Sequence, residues 1–229
     1  MPERIPNGPS DFEYRFGNCD SYPLAMPAVT PPSRPALRAR YEGRRREVIG
    51  AAAEAFAEGG YKETSIADLS AATGLAAGGI YHYIGSKENL LIAICDDLLA
   101  PLLEQGREIV AADEPPERQL RELLRVWLAH VETHRAHMLV FAQERHLIER
   151  EPQWRAVRRQ RKQFEELLDG ILARGEADGS MAFADRSVTL FALLGMVNYT
   201  PTWLRARGRL SAEDVADGYC DLILRSARP

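Results

Sequence analysis

The chain has 229 residues, of which 45% are hydrophobic and 27% are charged, and its formal net charge at pH 7 is −4. This composition is typical of a globular protein with a core of its own, and it excludes binding of nucleic acid through overall basic charge. The three cysteines form no CxxC pair, which argues against a zinc site or a disulfide framework and favours a reducing compartment. We expect a cytoplasmic protein without a membrane segment, because no apolar run is long enough for a signal peptide or a span.

The N-terminal region differs in composition from the rest of the chain. Residues 1–40 contain more than half of the 14 prolines, few aliphatic side chains and no helical period, which predicts a disordered extension. Six arginines and one acid, Glu42, lie between Arg34 and Arg46. Such a run is either a solvated arm or a local surface for phosphates, and Arg44, Arg45 and Arg46 are candidate DNA contacts.

Three helices are predicted in the segment that follows. Apolar residues at a spacing of 3.6 predict a first helix from Gly43 to the pair Gly59-Gly60. Thr64 or Ser65 is expected to cap a second helix of about two turns. A third short helix comes after Gly74. Two short helices joined by a glycine turn, behind a longer first helix, form the helix-turn-helix arrangement.

The third helix has a composition that stability alone does not explain. Gly78 and Gly79 together cost about 1–2 kcal/mol relative to alanine. In the major groove of DNA, however, they would let the backbone approach base edges, while neighbouring hydroxyl and imidazole groups bind phosphates. Thr64 and Lys87, each at a helix start, would bind further phosphates. The predicted DNA contacts are Arg44, Arg45, Arg46, Thr64, Ser65, Ala77, Gly78, Gly79, Tyr81, His82, Tyr83 and Lys87. The alternative is a buried aromatic cluster in a helical bundle, of which Tyr83 would be part.

The remainder of the chain is predicted to be helical as well. Amphipathic or apolar segments lie at 87–110, 115–135, 137–149, 152–179, 184–205 and 211–226, which gives about nine helices in an all-α fold. Ser86 and Ser211 are expected to cap two of these helices. The segment 184–205 is apolar nearly all round, so that both of its faces should be covered. We therefore divide the chain into an extension at 1–40, a DNA-binding domain at 41–90 and a helical domain at 91–229, for which a family resemblance implies ligand binding and dimerisation.

Residues 44–91 resemble the DNA-binding domain of the TetR family of repressors. The residues that carry the resemblance are Ala53, Phe56, Gly60, Tyr61, Thr64, Ser65, Ile66, Asp68, Leu69, Ala72, Gly74, Leu75, Ile80, Tyr81, His82, Tyr83, Ser86, Lys87, Glu88, Leu90 and Leu91. The resemblance implies a homodimer that binds an operator in double-stranded DNA and releases it when a small molecule binds the second domain. The chain departs from the family pattern at Ala76, Ala77, Gly79 and Ile84, so that base readout would depend on Tyr81 and backbone groups.

The C-terminal third is similar to TetR-type regulators that sense acyl-CoA thioesters. The shared residues are Met196, Asn198, Trp203, Gly208, Leu210, Ser211, Glu213, Ala216, Asp217, Tyr219, Asp221 and Leu222. Thr202 stands where those relatives tend to have arginine. The resemblance implies an apolar or acyl-CoA-type effector, whose phosphates arginines 155, 158 and 159 could meet. The predicted effector contacts are Trp127, His130, His134, Phe141, Phe164, Leu168, Phe191, Asn198 and Trp203. The segments 184–205 and 211–226 would pair with their symmetry mates in a four-helix dimer interface.

Other constellations have weaker functional interpretations. His130, His134 and His137 have a spacing that metal ligands use, but half-buried histidines beside a ligand pocket are more common, so we expect no metal and no cofactor. Glu144 and Glu149 near His146 lack a nucleophile, and we expect no enzyme. The basic stretch 155–162 is a solvated helix face, a second DNA site, a membrane contact or a CoA site. The rival interpretation of the whole chain is a helical small-molecule-binding protein that does not regulate DNA.

Overall fold

The computed structural model describes residues 31–150 and 152–226. Within these ranges the chain forms ten α-helices, a 3₁₀ turn at Pro152–Trp154 and no strand. The helices are α1 Pro35–Gly59, α2 Ile66–Thr73, α3 Ala77–Ile84, α4 Lys87–Ala111, α5 Pro116–Thr133, α6 Arg135–Gln143, α7 Arg145–Arg150, α8 Arg155–Ala177, α9 Arg186–Trp203 and α10 Ala212–Ser226. The all-α class is confirmed. The number exceeds nine because the predicted helix at 137–149 breaks at Glu144 into α6 and α7.

The first helix starts earlier than the sequence analysis predicted. α1 begins at Pro35 and continues without a break through Tyr41, so the expected disorder is wrong for residues 35–40. Residues 1–30 lie outside the described ranges. Proline at the first helical position is preorganised for a helix start, and the following alanine, leucine and arginines are good helix formers. The arginine run therefore belongs to the first three turns of α1 instead of preceding the helix.

Short polar caps define the starts of several helices. The Ser65 side chain accepts a hydrogen bond from the amide of Asp68, and the Asp68 carboxylate accepts one from the amide of Ser65, which completes a capping box. Ser211 and Asp214 repeat the same exchange at the start of α10. Ser86 caps α4, as predicted, by accepting from the amide of Asn89. Gly74, with φ of +67°, makes the left-handed turn between α2 and α3.

Two apolar clusters hold the helices together. The N-terminal cluster packs α1, α2 and α3 on the first half of α4, and it also takes in Val140, Ile148 and Trp154 from the segment around α6 to α8. The C-terminal cluster joins the second half of α4 to α5, α8, α9 and α10. Side chains from beyond the predicted boundary at residue 90 therefore complete the core under the helix-turn-helix, which couples the two parts of the chain mechanically.

The C-terminal helices differ from the prediction in which side chains they bury. Val215 and Ile223 lie in the segment 211–226, which was expected to pair with a symmetry mate, but they are buried within the chain, where α10 packs along α5. Arg121 and Arg125 of α5 form ion pairs with Asp217 of α10 at 3.0 and 2.9 Å. One face of α9 is exposed, although both faces were expected to be covered. The large side chains that stay exposed on α9 and α10 are Val188, Phe191, Tyr199, Trp203 and Leu222.

Candidate nucleic-acid interface and effector cavity

The third helix presents a small, open first turn and buries its opposite side. Ile80 and Ile84 pack in the N-terminal cluster, as predicted. Gly78 is exposed, and a Cβ added there would meet no atom within 4 Å, whereas a Cβ at Gly79 would touch Leu75 at 3.4 Å. Gly78 is thus the glycine that allows a close approach from outside. Gly79 also serves the packing of α3 against the preceding turn.

The aromatic residues of α3 fall into two groups. The Tyr83 ring lies 5.1 Å from that of Tyr41 on α1 and 5.1 Å from that of His82, so the predicted alternative of an aromatic packing cluster applies to Tyr83. His82 is exposed, and its ring centroid lies 6.0 Å from that of Tyr41 in an edge-to-face arrangement. Within the described ranges, Tyr81 takes part in no ring contact and no side-chain hydrogen bond. Its hydroxyl is therefore available to a ligand outside the chain.

Two of the predicted phosphate contacts, Thr64 and Lys87, form hydrogen bonds within the chain. Thr64 is only 5% exposed, and its hydroxyl donates to the carbonyl of Gly60 at 2.7 Å, so Thr64 does not offer that hydroxyl to DNA. The ammonium of Lys87 donates to the carbonyl of Lys62 at 3.2 Å and lies 4.6 Å from the centroid of the Tyr61 ring. Burial lowers the pKa of Lys87, against the opposing effect of nearby carboxylates. Lys87 thus ties the start of α4 to the turn before α2.

The arginines of α1 divide in a similar way. Arg44 forms an ion pair with Glu47 at 2.6 Å and donates to the carbonyl of Thr73 at 3.3 Å, which fixes the end of α2 against α1. Arg46 is exposed and Arg45 is half-buried. Ser65 and Ala77, at the starts of α2 and α3, are exposed and half-buried respectively. The surface formed by the starts of α2 and α3 and by α1 is therefore polar, locally basic and shaped by one projecting helix, as major-groove binding requires.

A cavity of about 300 Å³ lies between α4, α5, α6, α8 and α9. Its lining is mainly apolar and aromatic, which suits an acyl chain or a ring system better than a sugar. The residues that line it are Leu98, Leu99, Leu102, Trp127, Met138, Phe141, Ala142, Arg145, Arg161, Phe164, Glu165, Phe191, Leu194, Gly195 and Asn198. Five predicted effector contacts are in this set: Trp127, Phe141, Phe164, Phe191 and Asn198.

Four predicted effector contacts lie elsewhere. Leu168 is fully buried in the C-terminal cluster, and Trp203 lies at the exposed end of α9. His130 faces the backbone of α4, where its Nε2 lies 2.8 Å from the carbonyl oxygen of Leu98. His134 stacks on His130 with ring centroids 4.1 Å apart. Periodicity placed these side chains on inward-facing helical positions, but it did not distinguish the cavity wall from the packing behind it.

The three histidines form a packed row instead of a metal site. Among the described residues, no group of three or more His, Cys, Asp or Glu side chains is arranged to hold a metal ion. His137 is buried, its Nε2 has no hydrogen-bond partner among the described residues, and burial lowers its pKa to about 4. Burial and the neighbouring His134 lower the pKa of His130 as well. The imidazoles of His130 and His137 are therefore neutral near pH 7 and behave as polar core groups.

Two arginines lie at the cavity wall: Arg161, which belongs to the basic stretch 155–162, and Arg145, which the sequence analysis did not select. Arg145 of α7 contacts Glu149 at 2.9 Å, and Arg161 of α8 contacts the same carboxylate at 3.4 Å. The buried Nε of Arg161 also lies 3.4 Å from Glu165 in an ion pair, and it has no hydrogen-bond partner in the described part of the chain. Arg158 instead donates to the carbonyl of Ile148 at 2.7 Å. The basic groups that face the cavity are therefore Arg145 and Arg161, and the expected trio at 155, 158 and 159 is not in its lining.

The comparisons with known proteins agree with both parts of the structure. Residues 48–94 match the family model described as "Bacterial regulatory proteins, tetR family", and residues 113–227 match "Tetracyclin repressor-like, C-terminal domain". The chain belongs to the TetR family. It is thus a DNA-binding transcriptional regulator, and the three-helix surface described above is its helix-turn-helix.

Several relatives resemble this TetR-family chain over most of its length. The HTH-type transcriptional repressor KstR2 of Rhodococcus jostii is 30% identical over 185 residues, which is 80% of this chain and 90% of the relative. The structure of the regulator PfmR from Thermus thermophilus is 32% identical with a TM-score of 0.71, covering 80% of this chain and 99% of PfmR. AibR, crystallised with isovaleryl coenzyme A and operator DNA, is 26% identical with a TM-score of 0.69, covering 79% of this chain and 98% of AibR.

In this TetR-family chain, α6 connects the cavity to the DNA-binding helices. Met138 and Phe141 of α6 line the cavity, while Ala136 and Val140 are buried in the N-terminal cluster. Gln143 at the end of α6 donates to the carbonyl of Ala57 in α1 at 3.5 Å. A shift of α6 therefore displaces side chains in the core under the helix-turn-helix, because close-packed interiors transmit strain.

No helix in the described ranges is long and apolar enough to cross a membrane.

Proposed function

We propose that this regulator represses transcription by binding an operator as a homodimer, and that an apolar or acyl-CoA-type metabolite releases it. The observation that carries the proposal is that α6 forms a wall of the apolar cavity with one face and packs into the N-terminal cluster with the other. A ligand in the cavity can then favour one position of α6, and with it one position of the recognition helix α3.

The proposed DNA contacts are the outward-facing groups of the helix-turn-helix. Tyr81, whose hydroxyl has no partner among the described residues, and Gly78, with open space beside it, would meet the floor and edge of the major groove. The residues proposed to surround them are Arg45, Arg46, Ser65, Ala77, Gly79 and His82, whereas Arg44, Thr64, Tyr83 and Lys87 hold the helices in position. A two-fold dimer places two copies of α3 about 34–36 Å apart, in successive major grooves.

The proposed effector has an apolar part and an anionic part. Trp127, Phe164 and Phe141 provide the apolar wall, with the rings of the first two 4.7 Å apart in an edge-to-face contact. Arg145 and Arg161 provide cations at the same cavity, where an effector phosphate or carboxylate would compete with Glu149 for them. The complex of AibR with isovaleryl coenzyme A supports a thioester of this kind.

The proposal includes a cytoplasmic location and no catalytic activity. Family membership supports both, since the family consists of transcriptional regulators that act on chromosomal DNA. The rival function, a helical protein that binds small molecules without regulating DNA, would use the same cavity. The two functions differ in whether the protein binds DNA. Under the rival function, the hydroxyl of Tyr81, which has no partner among the described residues, would contact no DNA.

A gel shift with the DNA upstream of the protein's own gene separates these functions. The wild-type protein should shift this fragment, and isovaleryl-CoA or a longer acyl-CoA should release it. To move the ratio of the DNA-binding state to the released state from 99:1 to 1:99, the effector must bind the released state about 10⁴-fold more tightly than the DNA-binding state. Free coenzyme A and the free acids are the matched controls. Absence of any sequence-specific shift would favour the rival function, and a shift that only non-thioester ligands reverse would refute the effector class alone.

A further inference from the structure

The effector cavity accounts for only part of the basic stretch at the start of α8. Residues 155–164 contain five cationic side chains and no acidic one, in a chain whose net charge is −4. Arg161 lines the cavity, and Arg158 donates to the carbonyl of Ile148. The other three cations are exposed, and we define them as the basic face of α8: Arg155, Arg159 and Lys162.

The basic face points away from the apolar interior. Its members follow one another at intervals of four and three residues, so they lie on one side of α8. Val157, Phe164 and Leu168 are buried on the opposite side of the helix. The second half of α8, residues 165–176, carries four acids and a single arginine instead. Exposed positive charge is therefore concentrated in the first two turns of α8.

Two of the three cations have no ion-pair partner in the described part of the chain. Lys162 lies 3.5 Å from Glu166. Arg155 and Arg159 form neither an ion pair nor a side-chain hydrogen bond among the described residues. A guanidinium group presents a planar array of donors that matches a phosphate, and it is more weakly hydrated than an ammonium. The chemistry of the basic face therefore fits a polyanion with repeated phosphates.

The start of α8 lies beside the helix-turn-helix. Gln153, in the turn before α8, donates a hydrogen bond to the carboxylate of Glu88 in the first turn of α4. Burial raises the pKa of Asp96 on α4, whereas a hydrogen bond with Gln160 and the charge of Arg45 on α1 lower it, so α1 and α8 both approach this carboxylate. Arg45 is itself a proposed DNA contact. The basic face thus begins next to the DNA-binding surface of the chain.

The two unpaired arginines lie close to the contact between α8 and α4. Arg155 and Arg159 follow Gln153 by two and six residues. With a rise of about 2.0 Å per residue or less, they lie within about 12 Å of Gln153 along the axis of α8. This end of α4 begins at Lys87, directly after the recognition helix and its turn. A duplex in contact with α3 therefore passes the end of the molecule from which the basic face projects.

Double-stranded DNA fits the basic face better than a membrane or the effector does. The helix-turn-helix already brings this polyanion to the same end of the molecule. A membrane-binding helix needs large apolar side chains beside its cations, but within the described ranges the exposed side chains of that kind lie on α1, α9 and α10. The effector cavity meets α8 at Arg161 and Phe164, and the basic face is not in its lining.

We propose that the basic face of α8 binds phosphates of the operator flank, beyond the base pairs that the recognition helix reads. The inference rests on the DNA binding of the proposed function, and it adds that the DNA contact extends onto the effector-binding domain. Contacts of this kind carry no sequence information and raise the affinity for any duplex. Because α8 also lines the cavity with Arg161 and Phe164, an effector would act on the DNA contact through α8 as well as through α6.

The salt dependence of operator binding tests the proposal. Arg155→Gln combined with Arg159→Gln removes two charges per chain from the basic face. The matched control combines Arg107→Gln with Arg118→Gln, which removes two charges from exposed side chains near the end of α4 and the start of α5. Arg107 lies about 30 Å beyond Lys87 along α4. Fluorescence anisotropy is measured without effector at several salt concentrations, on the duplex upstream of the protein's own gene and on an unrelated duplex.

We expect the double variant of the basic face to bind both duplexes at least about tenfold more weakly at low salt. Its plot of log K against log salt should be shallower by about 2–4, since a dimer loses up to four phosphate contacts of about 0.9 each. The control variant should retain the wild-type affinity to within about a factor of two, because salt screens distant exposed charges. Equal affinities and slopes for the two double variants would overturn the proposal.

The other outcomes assign the basic face elsewhere or refute the proposed function. Unchanged DNA affinity with loss of release by isovaleryl-CoA would assign the two arginines to the effector. Unchanged DNA affinity with loss of binding to phosphatidylserine vesicles would assign them to a membrane surface. Either result overturns the inference and leaves the regulator intact. If the wild-type protein shifts no duplex at all, the proposed function fails, and the inference fails with it.

Tethered cleavage provides an arm that does not depend on a change in affinity. In a Cys19→Ser background, Cys95 and Cys220 are buried, so that Arg155→Cys supplies the reactive thiol for an iron–EDTA reagent. Arg118→Cys is the matched control, and circular dichroism verifies the helical content of both variants. With ascorbate and peroxide, the chelate at position 155 should cut the operator flank at discrete positions, and the chelate at position 118 should not. Uncut DNA from the chelate at position 155, in a sample whose gel shift shows bound operator, would overturn the proposal.

Discussion

Substitution of Lys87 tests most directly whether its ammonium stabilises the fold or contacts DNA. Replacing it with methionine keeps the aliphatic stem but removes the ammonium, which donates to the carbonyl of Lys62 at 3.2 Å and lies 4.6 Å from the Tyr61 ring centroid and 5.8 Å from that of Phe56. A net hydrogen bond from a charged donor contributes about 1.5–3 kcal/mol, and an exposed cation–π contact about 0.5–1 kcal/mol. Because this side chain is half-buried and solvent screens it, we expect Lys87→Met to lower the free energy of unfolding by about 1–2 kcal/mol.

The assay compares thermal unfolding with operator affinity in matched variants. A loss of about 1–2 kcal/mol lowers the Tm by about 2–8 °C for a domain of this size. Lys62→Met, which removes an exposed ammonium but leaves the accepting carbonyl, should leave the Tm unchanged. Tyr81→Phe removes a hydroxyl that has no partner in the described ranges, so it should weaken operator binding by about 1–3 kcal/mol at constant Tm. An unchanged Tm for Lys87→Met would refute the structural role assigned to its ammonium.

Two further predictions concern pH and helix capping. Burial holds the pKa of His137 at about 4 in the folded chain, against about 6.5 in the unfolded chain. The unfolded chain therefore binds the proton more tightly, and the free energy of unfolding should fall as the pH drops from about 6.5 to about 4. Urea titrations should show that His137→Leu flattens this dependence and that His146→Gln retains it. Ser65→Ala and Ser211→Ala remove equivalent caps, so each should cost about 1 kcal/mol in stability. Only Ser65→Ala should weaken operator binding in fluorescence anisotropy. An equal loss of operator affinity in both variants would contradict the assignment of α2 to the DNA-binding surface.

Much of the helical framework could be predicted from local sequence. The cap of α4 at Ser86 and the inward positions of Ile80 and Ile84 follow from contacts between residues three or four apart, which the sequence displays directly. The early start of α1 at Pro35 was also available from local propensity. It was missed because the first turns of α1 bury little and so have no apolar period.

The long-range partners of polar side chains could not be predicted in this way. Lys87 finds a carbonyl 25 residues away, and Arg44 finds one 29 residues away. Both side chains have the composition and position of phosphate contacts, and only the packing of α1, α2 and α4 shows that each also donates a hydrogen bond within the chain. A charged group near a binding surface is drawn to whichever acceptor the fold brings closest, and sequence spacing does not contain that information.

The helix-turn-helix, its recognition helix and the aromatic character of the cavity could be inferred from the sequence, because each depends on residue type at helical spacing. The identity of the inward-facing residues that form the cavity wall depends instead on how the helices pack. Phe141 and Phe191 reach it, whereas Leu168 and His130 pack behind it or against the backbone of α4. Arg145 and Arg161 meet at one carboxylate because α7 turns back on α8 after the break at Glu144. Helical periodicity fixes the face on which a side chain lies, but the angle and distance between helices decide what that face meets.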